Sequence, residues 1–280
     1  MSLLSPTAPV TTTSRLAALK VPPTVLLSFV VIALVIAWSV APVLFTSHSP
    51  INGVPADKLL GPSAAHWFGT DHLGRDLYAR VVHGTASSVS SALIAVIIAA
   101  VAGGLIGLLA GFFGGWVDIL LARLVDVLLA IPHFLLAVII VTALGFDTTN
   151  AAIATGISAV AVFARVMRAE VIKTRQAVFV EASFLLGGSR WHILLRHVLP
   201  NASRSVLPLA VLQFGLSILV IASLAFLGYG DPPPASDWGL LISIGKDYLK
   251  WPWLVYAPAF VTIGTVLSLN RISRWLRQTD

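Results

Sequence analysis

Six stretches of the chain contain no Asp, Glu, Lys or Arg and are dominated by apolar side chains: Val25–Phe45, Val89–Phe113, Val127–Phe146, Thr148–Ala164, Ser205–Gly230 and Trp251–Asn270. At about 1.5 Å rise per residue, roughly 20 helical residues cross a hydrocarbon core. Five of the stretches reach that length. The fourth is shorter and holds Asn150, Thr155, Gly156 and Ser158, which suits a helix packed among other helices better than one facing lipid. The pattern predicts an all-α polytopic membrane protein with six transmembrane helices. In the second stretch, Gly103, Gly107 and Gly111 repeat at four-residue steps and predict a close helix–helix contact. In the third, Pro132 predicts a kink. Asp118, Arg123 and Asp126 precede it, and their spacing predicts an interfacial Asp126–Arg123 ion pair, with a buried functional pair as the alternative.

Composition agrees with the pattern. Hydrophobic residues make up 57% of the chain and charged residues 11%, where a soluble domain carries about 25% charge. A soluble globule is excluded, and so is a disordered chain, which would be poor in apolar residues. Arg15 and Lys20 precede the first stretch as they would in a secretory signal, but its apolar core exceeds the length of a cleaved one, so it reads as an uncleaved anchor helix. The chain has no cysteine, which removes disulfides and thiolate chemistry.

Charge sets an expected orientation. With both termini cytoplasmic, 13 of the 18 basic residues fall inside, including Arg15, Lys20, Arg123, Arg271, Arg274 and Arg277. Seven of the 12 acids fall outside. This asymmetry follows the positive-inside rule. The net charge of +6 needs no nucleic acid to explain it. The expected organisation is a cytoplasmic tail over 1–24, a six-helix membrane domain over 25–275 and a cytoplasmic tail over 276–280. Outer loops are expected at 46–86 and 228–250, and a cytoplasmic loop at 165–204.

That cytoplasmic loop is too long for a plain connector and carries seven basic residues. Val178, Ala182, Leu185 and Leu186 have helical spacing, Gly187-Gly188 breaks the pattern, and a second basic helix is expected from Ser189 to just before Pro200. An interfacial helical hairpin is one reading of this segment. Its residue order supports another. Glu181-Ala182-Ser183, three residues, Gly187, nine residues and then His197-Val198-Leu199-Pro200 resembles the EAA loop of ABC importer permeases, with Ser183 in place of the second Ala and His197 in place of Ile.

Two further blocks carry the same resemblance. Gly69-Thr70-Asp71, two residues, then Gly74-Arg75-Asp76 is similar to the GTDxxGRD block of dipeptide and oligopeptide permeases of the DppC/OppC type. Leu224–Gly230 followed by Pro232-Pro233-Pro234 and Trp238-Gly239 is similar to the SFLGLG…PP…WG region of that branch. The Gly-Asp-x-Leu-Arg-Asp ending common in the family is replaced here by Arg271–Arg277.

The resemblance implies a type I ABC importer permease fold in the bacterial inner (plasma) membrane. It implies a non-catalytic subunit forming half of a translocation pathway for di- or oligopeptides. Its partners would be a second, non-identical permease, cytoplasmic ATPase subunits that bind ATP and Mg²⁺, and an extracytoplasmic solute-binding protein. The chain itself has no GxxxxGK[ST] phosphate loop and is expected to bind no cofactor. Glu181, Ala182, Ser183, Gly187, His197, Leu199 and Pro200 would form the ATPase-coupling loop. Nickel chelates, glutathione and haem are alternative cargoes within the family. An ion-coupled secondary transporter is the rival class, disfavoured because the six stretches hold no Asp, Glu, Lys or Arg and His133 is their only histidine. A non-transporting membrane scaffold is a third.

The outer segments add two expectations. His48, His66, His72 and His83 share the first with Asp57, Asp71 and Asp76, but their spacings match no compact ligand motif, so no metal site is expected. Asp71 and Arg75 are spaced for an ion pair in a capped helix. In the second segment, Trp238, Leu240, Leu241, Ile244 and Tyr248 are spaced for an amphipathic helix lying on the membrane surface, with Trp251 and Trp253 in an aromatic belt.

Overall fold

In the computed structural model, residues 22–279 are described. Arg15, Lys20, most of the expected N-terminal tail and Asp280 lie outside them. Eleven α-helices and no β-strand form among the described residues. The long ones are α1 (Pro23–Val40), α2 (Leu77–Phe113), α5 (Thr148–Arg175), α9 (Val206–Phe226) and α11 (Trp253–Thr279). Shorter ones are α3 (Gly115–Ala130), α4 (His133–Leu144), α6 (Val178–Leu185), α7 (Arg190–Ile193), α8 (Leu199–Arg204) and α10 (Trp238–Gly245).

Five helices are long and apolar enough to cross a membrane, and α3 with α4 make a sixth crossing if counted together. That pair corrects the expected kink at Pro132. α3 ends at Ala130, Pro132 caps α4, and the two axes differ by 92°. Proline cannot supply the N–H that would continue the α3 ladder. The charges on α3 also pair differently from expectation. Asp118 binds Arg168 and Asp126 binds Arg165, both on α5, so neither uses Arg123.

α5 is the central helix. Its apolar window is 67% buried, against 22% for α1, as its small and hydroxylated residues foretell. It packs along α2 through glycines. A Cβ on Gly103 or Gly107 would fall on the Val160 and Ala164 carbonyl oxygens, and one on Gly111 would stand 2.8 Å from that of Arg168. Gly156 returns the contact, since a Cβ there would stand 2.8 Å from the Ala95 oxygen. The expected small-residue contact is therefore present, and it sets the backbones of α2 and α5 side by side. α9 packs on α2 and α5, α11 on α9, and α1 on α11 and α2.

α2 begins at Leu77, not near the expected Val89. Arg80 and His83 made this turn look like loop, but it is buried helix. The segment expected to lie outside thus ends at Asp76. α5 likewise continues to Arg175, past the expected end at Ala164. There Arg175 Nη1 donates to the Phe112 carbonyl at 3.0 Å, placing a cation on the otherwise unpaired C-terminus of α2.

α10 overturns the membrane-surface expectation. Trp238 is fully buried and donates from Nε1 to the Val81 carbonyl at 3.2 Å. Leu240 and Leu241 are buried too, and Gly239 lies against the Ala222 backbone. α10 is an inserted element of the protein core.

Candidate functional sites at the two ends of the bundle

The segment 176–204 forms one end. α6 closes with a Schellman motif: Gly188 N–H donates to the Ser183 carbonyl at 3.0 Å and Gly187 N–H to the Phe184 carbonyl at 3.1 Å. Gly187 has φ +82°, which explains glycine at this position. Ser189 then caps α7 by accepting from His192 N–H at 3.3 Å.

The second helix does not stop before Pro200. Over Leu194–Val198 the backbone slips into a π-turn, and Leu199 N–H donates to the Leu194 carbonyl. Pro200 then sits in the first turn of α8, where a missing N–H costs nothing. The chain continues into α9. This is the physical correction to the sequence expectation: a π-bulge lets helix pass through proline.

One face of the segment is anchored. Val180, Ile193, Leu194, Val198 and Ala202 are buried in a cluster with Leu108 and Phe112 of α2 and with Phe163, Met167 and Val171 of α5. The opposite face is bare. Leu185 and Leu186 are 84% and 89% exposed, and Val178, Phe179, Trp191 and Leu195 are exposed as well. Of the predicted coupling residues, Glu181, Ala182, Gly187 and Pro200 are exposed, while Ser183, His197 and Leu199 are half-buried. The His197 ring lies between those of Phe179 and His192, at 6.3 and 6.0 Å. Glu181 borders a cleft of about 660 Å³ whose other walls include Gly111, Arg175 and Phe184.

The predicted block 69–76 builds the other end, but not as a capped helix. Asp71 is its hub. Oδ1 accepts from the N–H groups of Leu73 and Arg75 at 2.8 and 3.0 Å, and Oδ2 accepts from Arg75 Nε at 2.7 Å and Arg80 Nη1 at 2.8 Å. Burial works to raise the Asp71 carboxyl pKa. The hydrogen bonds from Arg75, Arg80 and Leu73 outweigh it and hold the pKa below the ordinary carboxylate range. Thr70 Oγ1 donates to the Asp57 carbonyl and accepts from Leu60 N–H at 2.8 Å. Gly69 and Gly74 take positive φ, and a Cβ at Gly74 would fall on the Val54 carbonyl. Asp76, rather than Asp71, caps a helix: its Oδ1 accepts from Ala79 N–H at 2.6 Å, starting α2.

Arg80 was missed as a site residue in the sequence. Its Nη2 donates to the Ala235 carbonyl at 2.7 Å, joining the 69–76 knot to the proline-rich segment before α10. Trp253 Nε1 adds a third tie, donating to the Thr70 carbonyl at 3.3 Å. The block is thus a structural clasp over the ends of α2, α10 and α11.

Comparison with known proteins fits this architecture. Residues 103–279 match the family described as the binding-protein-dependent transport system inner membrane component. The chain belongs to that family. It is 38% identical to the dipeptide transport system permease protein DppC of Alkalihalophilus pseudofirmus over 90% of this chain and 82% of that one. It is 36% identical to the glutathione transport system permease protein GsiD of Pectobacterium atrosepticum, over 78% and 72% of the two chains. Its fold resembles that of the MetNI methionine ABC transporter in an inward-facing conformation, with a TM-score of 0.57 at 16% identity, covering 72% of this chain and 96% of that chain. The chain is accordingly a multi-pass transport component of the bacterial inner membrane, of the ABC permease type.

Proposed function

We propose that the chain is one half of the translocation pathway of an ATP-driven importer of short peptides, and that 176–204 is where a separate ATPase docks. The exposed apolar edge of α6, carried on a firmly anchored base, is the observation that supports this reading most directly. An isolated protein has no reason to present Leu185 and Leu186 to water beside a glycine turn, whereas a partner groove does. The end bearing 176–204 is then cytoplasmic and the end bearing 46–76 faces outward, as the positive-inside asymmetry requires. A dipeptide cargo follows from likeness to DppC, and glutathione, itself a short peptide, is the alternative supported by GsiD.

ATP-driven closure of the ATPases would press on α6, and the anchored α7–α8 segment would pass that displacement to α5 and α9. A solute-binding protein would deliver the peptide from outside, and a second, non-identical permease would complete the pathway. Leu185→Asp and Gly187→Trp test the docking. A Cβ at Gly187 meets nothing within 4 Å, so the tryptophan has room in this chain, at a backbone cost of about 1–2 kcal/mol for its positive φ. Both variants are expected to insert normally, lose co-purification of the ATPase and lose ATP-dependent uptake in vesicles. Intact docking and uptake in both would refute the assignment.

A further inference from the structure

We propose that His48, His66 and Asp76 form a binding site for a divalent first-row transition-metal ion, with zinc as the reference ion. The sequence spacing suggested no such site, because the three residues come from separate turns of the segment between α1 and α2. Folding brings them together: each offers a ligand atom, and these atoms all lie within 4.8 Å of one another. The two imidazole rings face each other at 5.4 Å with an interplanar angle of 49°. His66 Nδ1 is already 2.8 Å from Asp76 Oδ2.

The arrangement has the parts of a metal centre beyond its ligands. Asp76 is 5% exposed, and its second oxygen is committed to Ala79 N–H, which fixes the carboxylate in the way outer partners fix metal ligands. His66 is half-buried and His48 is exposed, so the group is graded from a rigid floor to an adjustable lip. A cavity of about 190 Å³, walled by Phe45, Trp67 and Tyr78, opens beside His48 and Asp76. It leaves a fourth position for water or another small ligand.

Two imidazoles and one carboxylate suit zinc and its neighbours in the first transition row. Calcium and magnesium take oxygen donors in larger number. Tetrahedral bonds of 2.0–2.2 Å place ligand atoms about 3.4 Å apart. The His66–Asp76 contact therefore opens by about half an ångström, the metal takes the place of the proton shared between them, and the exposed His48 turns inward. The ion would tie the stretch leaving α1 to the first turn of α2.

The test uses the full-length chain in its purified complex, with tags removed and metal stripped, titrated with ZnCl₂ by calorimetry. One zinc per chain is expected to bind saturably in the wild type. His48→Gln and His66→Gln are each expected to weaken binding at least tenfold, while His192→Gln at the far end leaves it unchanged. Replacement by Co²⁺ is expected to give visible d–d bands of a four-coordinate site in the wild type but not in H48Q. Because His48 is exposed and packs into no core cluster, H48Q folds as the wild type does. Absence of saturable binding, or binding indifferent to H48Q and H66Q, would overturn the proposal and leave His66–Asp76 as a plain hydrogen bond at a helix cap.

Discussion

Arg168 holds Asp118 with both arms of its guanidinium, Nε to Oδ1 at 2.5 Å and Nη2 to Oδ2 at 2.7 Å, and so fastens α3 to α5 across the bundle. A fork-to-fork pair of this kind depends on geometry as well as charge. Arg168→Lys keeps the charge and loses the fork. It is expected to lower stability by about 1 kcal/mol, since the pair is partly solvated. Thermal melting of the detergent-solubilised protein reads this out, and the exchange of both residues, Asp118→Arg with Arg168→Asp, is expected to recover part of the loss.

Arg80 is the more demanding member of the clasp. It is 1% exposed and bridges Asp71 to the Ala235 carbonyl. Arg80→Met removes one partner of a buried pair, which costs about 3–5 kcal/mol where the remaining charge stays uncompensated. Arg75 still reaches Asp71, so the lower end of that range is expected. The signature is local: protease cleavage within 228–237 should rise sharply, with cleavage near Arg190 unaffected.

Glycine at the α2–α5 seam sets a steric limit. Gly107→Ala puts a methyl group onto the Ala164 carbonyl, and Gly103→Ala onto that of Val160. Neither backbone can retreat without parting the helices. Overpacking of about 1–3 kcal/mol is expected for each alanine and failure to accumulate for leucine. Gly264→Ala, which meets nothing within 4 Å, serves as the tolerated control in quantitative membrane-fraction blots.

Asp71 and Asp237 respond to pH in opposite senses. Asp71 has a lowered folded-state pKa, so its stabilisation is present above the unfolded value and is lost as pH falls through the folded one. Asp237 has a raised pKa, chiefly from burial, although its Oδ1 accepts from Leu240 N–H at 3.1 Å. Its contribution is present below the unfolded value and lost as pH rises through the folded one. Asp237→Asn keeps a good helix cap and removes the charge. Melting curves between pH 4 and 8 should show D237N gaining on the wild type as pH rises, and melts carried below about pH 4, under the ordinary carboxylate value, should show Asp71→Asn losing its disadvantage.

Long apolar runs made the crossing helices legible, and the glycine repeat of α2 announced its contact with α5. Helix ends were misjudged wherever charge was taken as a mark of solvent. Arg80 and Arg168 lie on helices because their charges are met by Asp71 and Asp118, and helical i,i+3 or i,i+4 spacing reveals neither partner, one nine residues away in a loop and the other 50 residues away on α3. Pro132 and Pro200 show why one residue type carried two outcomes. The first ends a helix and starts another at 92°, and the second is absorbed by a π-turn. Around α10, the helical spacing of Trp238, Leu240, Leu241, Ile244 and Tyr248 suggested a surface helix, yet Gly239, without a side chain, lets the helix sit against the Ala222 backbone. The His48–His66–Asp76 group was invisible for the same reason as the ion pairs: only the folded loop makes neighbours of them.

The glycine-lined seam also decides how force can travel. Side chains that interdigitate can slip by a rotamer, but backbones in direct contact have no such slack. α2 spans 37 residues, about 55 Å as a helix, and runs with α5 as a double beam. If an ATPase pushes on 176–204 as proposed, a displacement at Ile193 or Val198 is expected to be carried along that beam toward its far end, where the Asp71–Arg80 clasp sits.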